Sequence, residues 1–200
     1  MHVRRMMCAV ICTVLAAPAI LSAQTPAAQA PAAQAAPATQ APGESLNQLM
    51  GLLQQEVVGA AEAMPADKYD FAPAATVGEF KGVRNFGSQV KHLAEANYEF
   101  FQGWTVPGAT AVDSKTIEAL TTKDDIVKAL KDSYTYAHAA IATITPDNAF
   151  IVMGKPPRTA TRVFLASFCI AHSMDHYGQM VEYLRMNGII PPASRQPQSM

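Results

Sequence analysis

Cysteine is scarce in this chain: Cys8, Cys12 and Cys169 are the only three. The first two lie in an N-terminal segment that reads as a removable leader. The mature chain would keep Cys169 alone, which excludes an intramolecular disulfide even in an oxidising compartment. No cluster of lysine and arginine follows the first residues and the formal net charge is −1, so nucleic acid is not an expected partner. No apolar run reaches the roughly 18–20 residues that span a bilayer. No alternating apolar–polar run marks a strand, and no internal repeat is present. Three known metal or haem patterns are also missing. Ser173, not Glu, follows His172, so the zinc-protease signature fails. No Glu is followed three residues later by His, as di-iron bundles require. Cys-x-x-Cys-His does not occur.

Residues 1–23 open with Arg4 and Arg5, continue as an apolar stretch from about Met6 to Leu21, and close with Ser22-Ala23. A basic start, a short apolar core and a small-residue exit predict a secretory signal peptide, cleaved after Ala23, and a secreted or periplasmic protein without a stable membrane span. Residues 24–43 are almost entirely Ala, Pro, Gln and Thr, a composition that predicts a disordered or polyproline-like linker. The folded part is expected over residues 44–194, with 195–200 as a tail. About 155 residues suffice for one core.

Within it, four helices are expected. The first starts at Ser45, with Gln48 completing a capping box, carries Leu46, Leu49, Leu53 and Val57, and ends near Met64-Pro65. The second runs from about Val83 to Gly103, with Phe86, Val90, Leu93, Asn97 and Phe100 on one stripe. The third begins at Thr121 or Thr122, with Asp124 and Asp125 favouring its positive end, and continues through Ile126, Leu130, Tyr134 and Ile141 to Thr145-Pro146. The fourth spans about Thr161 to Asn187, where Gly188 and Pro191-Pro192 stop it. An all-α four-helix bundle is the natural architecture. The connections are long enough to permit a crossover, so topology stays open on spacing alone.

His172 and His176 are the residues that point to chemistry. Four residues apart on a helix, they stack on one face and can share a metal ion, which for zinc takes nitrogen at about 2.0–2.1 Å. Helical phase at about 100° per residue places Leu165, Phe168, Cys169, His172, His176, Gln179 and Tyr183 on one side, with both histidines inside the buried stripe. Burying two imidazoles costs roughly 1–3 kcal/mol each unless their nitrogens find partners, and a metal partners both. A third ligand must come from elsewhere. Of five histidines, His2 lies in the leader, which leaves His92, on the flank of the second helix, and His138, nearer the stripe of the third. Geometry does not separate them. Cys169, one turn before His172, could ligate as thiolate, but such a residue is more often a small buried hydrophobe. Asp175, Glu95, Tyr98 and Tyr177 are the acid, base or orienting candidates. Trp104, with Phe100 and Phe101, reads as a cap on the core, and Lys155-Pro-Pro-Arg158 as a solvated loop.

The segment Phe86-Gly-Ser-Gln-Val-Lys-His92-Leu-Ala-Glu-Ala-Asn97-Tyr98 resembles the second helix of the DinB-like (DinB/YfiT) metalloenzyme family. His172-Ser-Met-Asp-His176-Tyr-Gly-Gln179, running on to Asn187-Gly-Ile-Ile-Pro-Pro192, resembles its last helix and exit. The resemblance covers about Glu44 to Ser194. It implies an up-down-down-up bundle with a long crossover between the second and third helices, and a three-histidine metal site at His92, His172 and His176. It further implies zinc or nickel, a homodimer, and a metal-dependent hydrolase or thiol transferase acting on an unassigned small molecule. Tyr177 stands where the family's His-Arg-Gly-Gln variant has Arg, and export removes the chain from the cytoplasmic thiols that such transferases use. A non-catalytic metal-binding or stress-related interaction bundle is the alternative.

Overall fold

The computed structural model describes residues 38–155 and 158–195. The expected signal peptide and most of the expected linker lie outside the described residues. Five helices and one short hairpin are found among them: α1 (Pro42–Ala63), α2 (Phe86–Glu99), α3 (Ser114–Glu118), α4 (Lys123–Ala142), β1 (Val152–Lys155), β2 (Arg158–Thr161) and α5 (Arg162–Met186). None of the described helices is long and apolar enough to cross a membrane.

The helix starts show how local sequence sets the elements. Asn85 caps α2 by accepting from Ser88 N at 2.8 Å, Thr122 caps α4 by accepting from Asp125 N at 3.2 Å, and Thr161 caps α5 by accepting from Phe164 N at 3.3 Å; each satisfies an otherwise orphaned donor. At the far end of α5, Gly188 adopts φ +72°. Ile189 N then donates back to Leu184 O at 2.9 Å, the six-to-one bond that closes a helix through a left-handed residue.

α1 begins earlier than the capping box at Ser45 predicts. Its N-cap is Ala41, Pro42 takes the first helical turn, where its missing N–H costs nothing, and Ala41 N donates to Glu44 at 3.4 Å. Two residues assigned to the linker, Pro42 and Gly43, are therefore helical. Gly43 is buried against α4: a Cβ there would lie 2.7 Å from the carbonyl oxygens of Ile141 and Ile144. The phase of α1 also differs, because Met50 is buried while Leu49 is exposed.

α1 packs on α4 and α5, and α2 packs on the same two helices. The directions follow from contacts along each pair. Asn47 and Gln54 meet His138 and Lys123 meets the Glu62 carbonyl, so α1 and α4 are antiparallel. Lys91 reaches the Leu120 carbonyl, Asn97 pairs with Ser133 and Tyr98 with Tyr136, so α2 and α4 run parallel. Gln89 meets Gln179 and Phe100 meets Phe168, so α2 and α5 are antiparallel. Parallel neighbours need a long connection, and residues 100–122, which include α3, supply it.

The core combines Met50, Leu53 and Val57 of α1, Phe86, Val90 and Leu93 of α2, Leu130, Tyr134 and Ile141 of α4, and Met180 and Leu184 of α5. Trp104 belongs to it, as its pattern predicts. It stands edge-on to Phe101, and the Arg162 guanidinium lies 3.9 Å from its ring centroid. The hairpin overturns the absence of strands: β1 and β2 pair antiparallel from Val152 opposite Thr161 to Lys155 opposite Arg158. Four-residue strands with Gly154 at φ +88° carry too little alternation to show in sequence. Lys155 and Arg158, expected in a solvated loop, are strand residues paired with each other.

Candidate metal centre

α5 supplies two histidines one turn apart, and α2, running the opposite way beside it, supplies the third. The Nε2 atoms of His92 and His172 are 3.1 Å apart. Ring centroids are separated by 4.8 Å for His92–His176 and 4.5 Å for His172–His176. One nitrogen from each ring can be chosen so that all lie within 4.8 Å of one another. Two donors at about 2.0–2.1 Å from one tetrahedral ion would be about 3.3–3.4 Å apart, close to the His92–His172 spacing.

Burial differs among the three. His176 is buried, while His92 and His172 are half-buried. Helical phase placed both α5 histidines inside the buried stripe; His172 instead lies on its edge, and Phe168 is half-exposed. The buried face is centred on Cys169, Ser173, His176 and Met180. α5 carries large apolar residues on two sides, Phe164, Phe168 and Met174 on the outer one, so hydrophobicity alone does not fix its rotation.

Protonation favours metal binding here. Burial, helped by Arg84 and the two neighbouring imidazoles, pushes His92 down to about 4. Burial and the His172 charge push His176 to about 4, and His172 is also lowered by burial, against a raising influence from Asp175. All three are neutral at pH 7, the form that ligates. Nδ1 of His176 is buried with no protein partner, a desolvated lone pair or N–H that costs stability unless something binds it. A neutral three-nitrogen donor set with one orphaned buried nitrogen fits a borderline divalent ion such as zinc or nickel.

The competing ligands are placed elsewhere. His138 is held by Asn47 Oδ1 at 2.8 Å and Gln54 Oε1 at 2.9 Å between α4 and α1. Cys169 is fully buried and its Sγ lies 3.4 Å from Asn97 Oδ1; burial pushes its thiol up to about 12, where it is an inert core group. Two features that sequence did not reveal adjoin the histidines. Gln89 on α2 donates to Gln179 at 2.7 Å, and Gln179 donates to Asp175 at 3.2 Å. Arg84, in the loop before α2, joins Ser88, Lys91, His92, Glu95 and Glu118 around a cleft of about 320 Å³. A polar residue beside the α2 stripe is the one trace of Gln89 in the sequence. Arg84, an exposed loop residue, leaves none.

The DinB superfamily model matches residues 49–180. The chain belongs to the DinB superfamily. The crystal structure of a DinB-like protein from Bacillus cereus aligns with this DinB-superfamily chain at a TM-score of 0.60 and 16% sequence identity, covering 74% of this chain and 95% of that one. At that identity the likeness is one of fold. No curated protein matches. The expected family is thus established, and the three histidines, which stand close enough together to hold one metal ion, lie on the two DinB helices whose sequences carry the resemblance.

Proposed function

We propose that this protein is an exported metalloenzyme: His92, His172 and His176 hold one zinc or nickel ion, and a substrate takes the remaining position. The four long helices are read as a four-helix bundle of up-down-down-up order, supported by the antiparallel α1–α4 and α2–α5 pairs and the parallel α2–α4 pair. Export rests on the basic start, apolar run and small-residue exit of residues 1–23, and a homodimer on the resemblance to the family.

The observation that carries the catalytic reading is the one-sided openness of the site. His176 is buried on the core side, whereas His92 also lines the solvent-facing cleft with Glu95. A purely structural ion would be enclosed by four protein ligands; among the described residues no fourth histidine, cysteine or carboxylate joins this cluster. When bound, such an ion supplies a water of lowered pKa or polarises a carbonyl. Glu95, one turn from His92 and half-buried in the same cleft, is held above the usual carboxylate range by burial and by Glu118 and Glu99. That is the tuning a proton acceptor at such a site needs. Hydrolysis is favoured over thiol transfer because export separates the chain from cytoplasmic thiols.

Metal-loaded wild type and His176→Ala should be compared on a panel of esters, amides and thiol conjugations. Turnover by wild type alone supports the enzyme. Metal uptake without turnover by either would support the non-catalytic metal-binding bundle instead. N-terminal sequencing of exported protein should begin at Gln24.

A further inference from the structure

The surface around the three histidines changes character from one side of the triad to the other. On one side of the triad, Phe100 lies 5.5 Å from His172 and 5.4 Å from Phe168, centroid to centroid. Phe168 in turn stacks on Phe164 at 5.8 Å. Phe168 and Phe164 are 50% and 56% exposed, so an apolar wall of stacked rings borders the histidines and faces solvent. Large exposed apolar residues gathered beside polar groups mark binding surfaces more often than isolated ones do.

At the other side stands Arg84, eight residues before His92 as Phe100 is eight after it. Eight residues of helix span about 12 Å, and Arg84, which lies just before the helix start, leans back towards the triad. It lines the same cleft as His92. Its backbone is anchored, since Tyr183 Oη donates to the Arg84 carbonyl at 3.1 Å. Among the described residues its guanidinium forms no ion pair or hydrogen bond. The other cation of the cleft is engaged: Lys91 Nζ donates to the carbonyls of Glu118 at 2.8 Å and Leu120 at 3.1 Å. Glu95 and Glu118 balance the two cationic side chains within the cleft. Three neutral imidazoles leave a divalent ion's charge uncompensated, so its preferred further ligand is an anion. A guanidinium beside it presents a fork that matches a carboxylate.

We propose that the substrate of this centre is an acid with an apolar body, its carboxylate held between the ion and Arg84 and its body lying on Phe100 and Phe168. This deepens the metalloenzyme reading and rests on it. Arg84 is a binding residue here, and Phe168 sets which carboxylates are preferred.

Cobalt(II)-loaded protein, whose visible bands report the ligands of the ion, tests both. It is titrated with acetate, 4-phenylbutyrate and the uncharged 4-phenylbutanamide. The bands should shift with both carboxylates, at about tenfold lower concentration for 4-phenylbutyrate, and not with the amide. Arg84→Ala should bind cobalt as wild type does and weaken both carboxylates about tenfold. Arg84→Lys should recover part of that loss. Phe168→Ala should abolish the advantage of 4-phenylbutyrate and leave acetate unchanged. Both substituted residues are exposed, so neither change threatens the fold. Unshifted bands, equal affinities in Arg84→Ala and wild type, or equal affinities for the two carboxylates would overturn the proposal while leaving the metal site standing. Failure to take up cobalt would overturn the metal reading, and this inference with it.

Discussion

His92 and His172 bring their Nε2 atoms to 3.1 Å although 80 residues of chain separate them. Two facing polar nitrogens at that distance either share a proton or share an ion. His176, whose ring centroid is only 4.5 Å from that of His172, makes the shared ion the economical arrangement.

The proposed site should take up zinc or nickel. Elemental analysis of purified protein is expected to give about one ion per chain. His92→Ala, His172→Ala or His176→Ala should each weaken binding by more than the 10–100-fold typical of losing an outer-shell partner. His138→Ala should bind as wild type does. Equal loss in His138→Ala would place the site elsewhere.

Acid should destabilise the metal-free protein. Histidine in an unfolded chain titrates near 6.5, whereas His92 and His176 titrate at about 4 in the fold. Between those values the unfolded state binds protons that the folded state does not, so stability falls as pH falls. Thermal midpoints are expected to be steady above about pH 6.5 and to decline towards pH 4. A His92→Ala/His176→Ala double variant should flatten most of that slope. The remainder belongs to His138 and His172, which burial also lowers. A midpoint that rose on acidification would contradict this account.

Cys169 should be silent. Its thiol is fully buried beside Asn97 and raised to about 12, so a disulfide reagent should modify it only in denaturant. Fast reaction in native buffer would show that this part of α5 opens to solvent.

Asn97 is the polar centre of the same contact. It is wholly buried and donates to Ser133 Oγ at 3.0 Å while accepting from Cys169. Asn97→Ala removes the acceptor of the buried Cys169 thiol and one of the two bonds of Ser133 Oγ, which still donates to Leu130 O at 2.7 Å, and should cost about 1–3 kcal/mol in denaturant unfolding, without changing metal content.

Trp104 gives an optical probe of the crossover. Removing the guanidinium that covers it, in Arg162→Ala, should shift its fluorescence and cost about 1 kcal/mol. An unchanged spectrum would mean that the ring is shielded by its other neighbours.

Much of this was legible before any fold. Thr122 and Thr161 announce their helices because a hydroxyl ahead of an apolar periodic run has a local donor to satisfy. Gly188 announces the end of α5 for an equally local reason. The pair His172–His176 is local too, since one helical turn stacks the two rings wherever the helix packs. By its residues alone the sequence determined the long helices, the paired imidazoles and, by resemblance, the family. Tertiary structure decided the rest. Whether His92 or His138 meets that pair depends on which helices are neighbours: α2 packs antiparallel on α5, while α4 turns His138 towards Asn47 and Gln54 of α1. The rotation of α5, which leaves His172 at the edge and Phe168 half-exposed, is set by two partner helices at once. Arg84 reaches the cleft beside His92 through a loop whose backbone is tied to Tyr183 of α5. Local signals act over one turn of chain, whereas a site assembled across 80 residues depends on the packing of whole helices.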